Sequence, residues 1–225
     1  MTQRYFSKVR LLVRPSGNTW LRDLLAHGES YRDHALIWRL FPGDGMPRDF
    51  LFRRLDGEWS YFVVSARLPR DDGLFEVQTK AYEPRLVKGT LLRFDLRANP
   101  AVSKNESGRS QRHDVLMEAK HRLSIAETSN AMSNTLSETQ GKAGREWLLA
   151  RAGKWGLKVS ADSLLQESYR QHRLKHKGRA IAYSSLDYQG IAQVDDPDLL
   201  QQALFNGIGH AKGFGCGLLL VKKLA

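Results

Sequence analysis

Tyr31, His34 and Trp38 stand at i, i+3 and i+7, so on a helix they share one face. Histidine is the side chain whose ordinary pKa lies near neutrality, which suits His34 to general acid or base work. The same aromatic face also reads as packed core, and the other six of the seven histidines compete for the role. A second group is cationic. Arg170, His172, Arg173, Lys175, His176, Lys177 and Arg179 crowd one stretch with no acidic residue among them. Such a stretch is either a solvated charged hairpin or a grip for closely spaced phosphates. The third group is Gly207 to Gly217, five glycines in eleven residues with Lys212 among them. Glycines let a backbone or a phosphate approach closely, and a tight structural turn needs them too. Two familiar phosphate loops are excluded by spacing. A Walker loop needs Lys after its last Gly, whereas Lys212 precedes Gly213. A dinucleotide fingerprint opens a helix after a strand, and this loop follows a helix and opens a strand.

The elements that must position these groups are readable in part. Tyr5 to Arg14 alternate, with Val9, Leu11 and Val13 on one face and Lys8, Arg10 and Arg14 on the other, as in a half-buried strand. A short helix is expected from about Trp20 to Ala26. A second follows from Ser30, whose spacing to Asp33 has the form of a capping box, and ends near Phe41-Pro42. Phe50 to Leu55 and Glu58 to Ser65 flank Asp56-Gly57, a two-residue hairpin signal. With Glu76 to Ala81 and Thr90 to Leu96 as further strands, residues 1–100 outline a ferredoxin-like half. Residues 101–144 form a polar, basic connecting segment, and Glu127 to Lys142 read as a flexible insertion. Residues 145–225 supply a helix from Arg145 to Ala152, a strand from Trp155 to Val159 and a hairpin of Leu164 to Leu174 with Arg179 to Leu186. Gly190 marks another turn. In the last helix Asp196 suits the N-cap, Pro197 the first position and Asn206-Gly207 the stop, and a buried strand follows at Leu218 to Val221. The expected class is α+β, two tandem ferredoxin-like domains with antiparallel sheets.

Bulk composition narrows the partners. The 225 residues carry 35 Lys plus Arg against 24 Asp plus Glu, a net charge of +11, with a pI near 9.9. So basic a surface attracts polyanions, nucleic acid first. No apolar stretch approaches spanning length, so no membrane association is expected, and the polar opening predicts no signal peptide. The single cysteine, Cys216, permits no internal disulfide and no cysteine metal cluster, in keeping with a reducing cytoplasm.

Three stretches carry a resemblance. Gly207-Ile208-Gly209, Ala211-Lys212 and Gly215-Cys216-Gly217-Leu218-Leu219 resemble the C-terminal glycine-rich loop of the RAMP superfamily of CRISPR-associated RNA-binding proteins, in its CasE type. That family usually has Pro where His210 stands. Tyr31 to Pro42 resembles the family segment that contains the catalytic histidine, with a Tyr three residues before the His and a Trp-x-Leu-Phe-Pro run after it. Leu92 to Pro100 is similar to its Phe-x-Leu-Arg-Ala-Asn-Pro strand, where Arg97 serves either the domain interface or RNA. The matches lie in family order at the front, middle and end of the chain.

The resemblance implies a cytoplasmic endoribonuclease that cuts CRISPR precursor RNA at the base of the repeat stem-loop. Such an enzyme needs no metal or other cofactor, because the RNA's own 2′-hydroxyl is the nucleophile. It implies His34, rather than His27 beside Gly28, as proton-transfer residue, with Tyr31 assisting and Arg39, Lys212 or a hairpin Arg as the cation. RNA contacts are expected from Arg170, His172, Arg173, Lys175, Lys177 and Arg179 on a basic hairpin, from Lys212, and from Lys104 and Arg112 in a patch diluted by Glu106, Asp114 and Glu118. The partners implied are the repeat RNA and the other subunits of a type I-E surveillance complex, with the free chain a monomer. Two alternatives stay open: a non-catalytic RNA-binding subunit of that complex, and a metal-dependent nuclease, for which no ligand spacing stands out.

Overall fold

The computed structural model describes residues 3–12, 19, 23–24, 28–43, 45–55, 57, 59–71, 73–106, 108–126, 132–176 and 179–224. The first unit comprises β1 (Tyr5–Leu11), α1 (Glu29–Trp38), β2 (Phe50–Arg54), β3 (Ser60–Ser65) and β4 (Phe75–Ala81). Its sheet runs β2-β3-β1-β4, with every neighbour antiparallel. This is ferredoxin-like strand order, with an irregular segment instead of a helix between β3 and β4. Leu36, Ile37 and Leu40 fall at helical spacing and are fully buried against Val9, Phe52, Tyr61, Val63 and Phe75 of the sheet. Each such side chain contributes roughly 1.5–3 kcal/mol on leaving water. With that stripe on the sheet, His34 and Trp38 lie on its half-buried flank.

The second unit repeats the topology. It is built from β5 (Leu91–Ala98), β6 (Ala101–Glu106), β7 (Arg109–Asp114), α2 (Val115–Ala126), α3 (Met132–Ala152), β8 (Leu157–Val159), β9 (Leu165–His176), β10 (Arg179–Val194), α4 (Pro197–Asn206) and β11 (Leu219–Lys223). The sheet order is β11-β5-β10-β8, and β9 extends it by pairing with β10. Leu92, Phe94, Leu96 and Ala98 of β5 are buried with Tyr188 and Val194 of β10, Trp147 and Leu148 of α3, and Leu200 and Leu204 of α4.

Several expectations need correction. The strand of Leu92 to Ala98 does not close the first half. It is the first strand of the second sheet, because its buried alternate residues face α3 and α4. Residues 101–144 are no open linker: they form the β6–β7 hairpin, α2 and the greater part of α3, and α3 already runs through the stretch expected to be flexible. Residues 127–131 of that stretch lie outside the described residues. The helix does not open at Ser30. Gly28 is the N-cap and makes no side-chain bond, while Asp33 is buried, accepting the Tyr61 hydroxyl proton at 2.8 Å and facing Arg54 at 3.7 Å. Gly190 is no turn but lies within β10, where a Cβ would sit 3.1 Å from the Phe94 ring. At the first hairpin, Leu55 N–H donates to Ser60 O, and the expected Asp56-Gly57 turn lies outside the described residues apart from Gly57. The short helix at Trp20 to Ala26 lies outside the described residues apart from Asp23 and Leu24, which are helical.

Candidate active site where the two sheets meet

The last helix ends as its sequence requires. Asp196 caps it through bonds from Asp198 and Leu199 N–H at 2.9 and 3.0 Å, Pro197 opens it and Gly207 ends it. The loop that follows is clamped at its base: Ile208 N–H donates to Gly217 O at 2.8 Å, and Gly217 N–H donates to Arg97 O at 2.7 Å. Gly217 has φ +86°, and a Cβ there would lie 2.5 Å from Ile208 O, so only glycine fits. Ala211 holds φ +55°, a left-handed conformation that costs a side-chain-bearing residue about 1–2 kcal/mol. Its carbonyl accepts from Phe214 N–H at 2.8 Å, turning the chain through Lys212–Phe214.

This loop presses on the first unit. A Cβ on Gly207 would meet Leu51 at 2.7 Å, and one on Gly215 would meet the Phe52 ring at 3.3 Å. Leu51, Val64 and Leu218 form a small buried cluster there with Phe6, Phe62 and Tyr82 around it. Charges reinforce the contact. Arg53 of β2 bonds Asp95 of β5 at 2.5 Å and lies 3.9 Å from Asp187 of β10. Arg97 donates twice to Asp187, at 2.7 Å each. Cys216 is buried beside them, and burial pushes its thiol up to about 12.

Into this junction α1 delivers His34. Its Nδ1 lies 2.7 Å from Gly213 O. A carbonyl can only accept, so Nδ1 carries the proton and Nε2 is the ring nitrogen that exchanges one. The imidazole begins a row of rings. Trp38 meets it edge-on at 6.1 Å and Phe214 at 5.7 Å; Tyr183 of β10 stacks on Phe214 at 5.2 Å, and His172 of β9 on Tyr183 at 4.5 Å. His172 Nε2 is 2.8 Å from Ser185 Oγ. His172, Tyr183 and Phe214 are shared by two clefts. One, of about 390 Å³, is bordered by Arg112, Arg173 and His210. The other, of about 370 Å³, is bordered by Asp33, Arg54, Arg97 and Arg170.

The expected residues fare differently. Tyr31 is half-buried on α1 one turn before His34. Arg39 is exposed at the C-cap of α1. Arg170 and Arg173 are exposed on opposite faces of β9, so the basic hairpin divides its cations between the two clefts. Lys175 and Arg179 belong to paired strands, while Lys177 and His27 lie outside the described residues. Lys104 faces away from the clefts and is ion-paired to Glu118, which Arg122 also holds at 2.5 Å. Those partners keep the Glu118 carboxyl below the usual carboxylate range. Arg97 spends its guanidinium on Asp187 and also borders the second cleft.

Arg48 was invisible to sequence reasoning. It follows Pro47 in a Gly- and Pro-rich loop, and its Nη1 lies 3.0 Å from where a Cβ of Gly213 would stand. Nothing in its own segment points to the glycine loop far along the chain. Tyr183 was missed for the same reason: it reads as an ordinary strand aromatic. Burial lowers the Arg48 pKa, and burial followed by Arg48 itself lowers that of Lys212. His210 is lowered by burial, then by Arg112 and Lys212.

Known proteins resemble the chain along nearly its whole length. The chain is 28% identical to the CRISPR system Cascade subunit CasE of Escherichia coli, over 98% of this chain and all of that protein. It is 26% identical to the CRISPR-associated endoribonuclease Cse3 of Thermus thermophilus, over 94% of this chain and 97% of that one. The fold matches Thermus thermophilus Cse3 bound to an RNA representing a pre-cleavage complex, with TM-score 0.69 at 22% identity over 98% and 99% of the two chains. It matches Cas6e from Escherichia coli with TM-score 0.60 at 24% identity over 98% and 100%. The family model described as CRISPR associated protein spans residues 4–223, from the first strand through the glycine-rich loop to the last strand, and the chain belongs to that family.

Proposed function

We propose that this chain is an endoribonuclease that cuts CRISPR precursor RNA at the base of the repeat stem-loop and remains as a subunit of a type I-E surveillance complex. The observation that carries the reading is His34, its Nδ1–H pinned to the Gly213 carbonyl and its ring beside the two clefts. Relatives matched over nearly their full length are named as an endoribonuclease and as a Cascade subunit. The basic balance of the chain suits an RNA partner.

The chemistry asks little beyond placement and proton transfer. The 2′-oxygen forms a bond to phosphorus while the bond to the 5′-oxygen breaks, leaving a 2′,3′-cyclic phosphate and a 5′-hydroxyl. His34 moves a proton through Nε2, either from the attacking hydroxyl or to the leaving oxygen. Tyr31, one turn away, assists or orients. Because the RNA supplies its own nucleophile, the proposed reaction needs no metal. The basic hairpin of β9 and β10 holds the stem, with Arg170 facing one cleft and Arg173 the other. In this reading the unit boundary falls between β4 and β5.

Labelled repeat RNA incubated with the parent protein and His34→Ala, each with and without excess chelator, tests the proposal. Cleavage by the parent in chelator, at least ~10² faster than His34→Ala at similar RNA affinity, is expected. Cleavage that vanishes with chelator makes the protein a metal-dependent nuclease. Binding without cleavage makes it a non-catalytic subunit.

A further inference from the structure

We infer that Arg48 and Lys212 together form the seat of the scissile phosphate beside His34. The inference rests on the ribonuclease reading and supplies the cation that its transition state requires. Arg48 Nη1 and His34 Nδ1 lie 3.0 and 3.6 Å from one point, the place a Cβ on Gly213 would take. The guanidinium and the imidazole therefore flank the same stretch of main chain, and glycine there keeps the space between them open.

Among the described residues, no carboxylate compensates the charge at this spot. Arg48 is half-buried, its Nε is shielded from water without a hydrogen-bond partner, and no carboxylate pairs with it among the described residues. Lys212 Nζ donates to the neutral Asn206 carbonyl at 2.8 Å and, among the described residues, to no carboxylate. Three other shielded arginines, by contrast, hold carboxylates: Arg53 with Asp95, Arg67 with Asp49 and Arg97 with Asp187. Two desolvated cations that repel each other are unfavourable unless an anion arrives between them. A phosphodiester fits. Its paired non-bridging oxygens match the guanidinium fork, and the ammonium adds a point charge. As attack proceeds the phosphorane gains negative charge, so the same two groups act most strongly in the transition state. Arg112 borders the adjoining cleft and continues the line of positive charge, giving the RNA backbone a path to His34.

The experiment uses single-turnover cleavage of labelled repeat RNA, binding of the uncleavable 2′-deoxy form across salt, and thermal unfolding. Arg48→Ala is expected to cut ~10² slower, in line with loss of one transition-state donor. It should unfold within a few degrees of the parent, regain rate when guanidinium ion is added, and be partly rescued in Arg48→Lys. His34→Ala should gain nothing from guanidinium. The Arg48→Ala, Lys212→Ala double variant should lower the slope of log affinity against log salt by about one. Cleavage by Arg48→Ala within threefold of the parent overturns the inference, as does an unchanged salt slope. So does a loss of rate that follows lost folding and is not rescued. A parent that leaves the RNA intact while the slope still falls would overturn the ribonuclease reading and leave the anion seat standing.

Discussion

Replacing Arg53 with Met tests what holds the two units together. The Arg53 side chain is 7% exposed and reaches from β2 of the first sheet to Asp95 and Asp187 of the second. Breaking a buried ion pair from one side costs about 3–5 kcal/mol, because the remaining charge is stranded. Two features reduce that here. Asp95 is 34% exposed, so water recovers part of its solvation, and Asp187 keeps both bonds from Arg97. Methionine also fills much of the space of the arginine stem. The expected loss is therefore about 2–3 kcal/mol. At about 2–4 °C per kcal/mol for a chain of this size, the melting temperature should fall by roughly 4–12 °C. Calorimetry or urea unfolding measures it, and adding Asp95→Asn should recover about 1 kcal/mol. A change under about 1 °C would refute the argument, since the bridge would then contribute nothing to the joint.

Three further outcomes are expected. RNA phosphates should raise the lowered His210 pKa, so proton uptake accompanies binding and affinity should rise as pH falls from 8 through His210's ordinary range near 6.5; His210→Ala should flatten that dependence in a fluorescence binding titration. Arg170→Ala, Arg173→Ala and Lys175→Ala combined should weaken stem-loop binding and flatten its salt dependence, whereas Lys104→Ala, whose cation already serves Glu118, should leave both close to the parent. Gly217→Val should cost about 2–4 kcal/mol or soluble expression, because a side chain would strike Ile208 O at φ +86°, and Gly215→Val at φ +84° should cost less, since the Phe52 ring has some room to yield.

Local signals were the legible ones. The stop and start of α4 are written in Asp196, Pro197 and Gly207, and the face of α1 in Leu36, Ile37 and Leu40. Pairing between distant strands was not. Leu96 faces Leu219 and Tyr188 across β5, and nothing near Leu96 names either partner, so the strand was assigned to the wrong half. Ser30 and Asp33 had cap spacing, but a buried bond to Tyr61 outweighed it. Gly190 carried a turn signal, yet it is small because Phe94 covers it. The polar composition of α3 suggested an open chain, while Trp147 and Leu148 near its end anchor it to the core.

The candidate site follows the same division. His34 was singled out by a resemblance and not by physics, because the Gly213 carbonyl that orients it comes from the other end of the chain. That partner is main chain, so no side-chain substitution in the loop can supply or delete it; only movement of the loop can. The loop stays in place because Gly207 and Gly215 let it lie against Leu51 and Phe52, and because Arg53 ties the two sheets nearby. In the proposed reaction, proton transfer at His34 should therefore depend on how firmly the units are joined. A variant such as Arg53→Met, which touches none of the proposed reacting groups, should lose cleavage rate as well as stability. Its loss should grow on warming toward its lowered melting point, while that of His34→Ala stays constant.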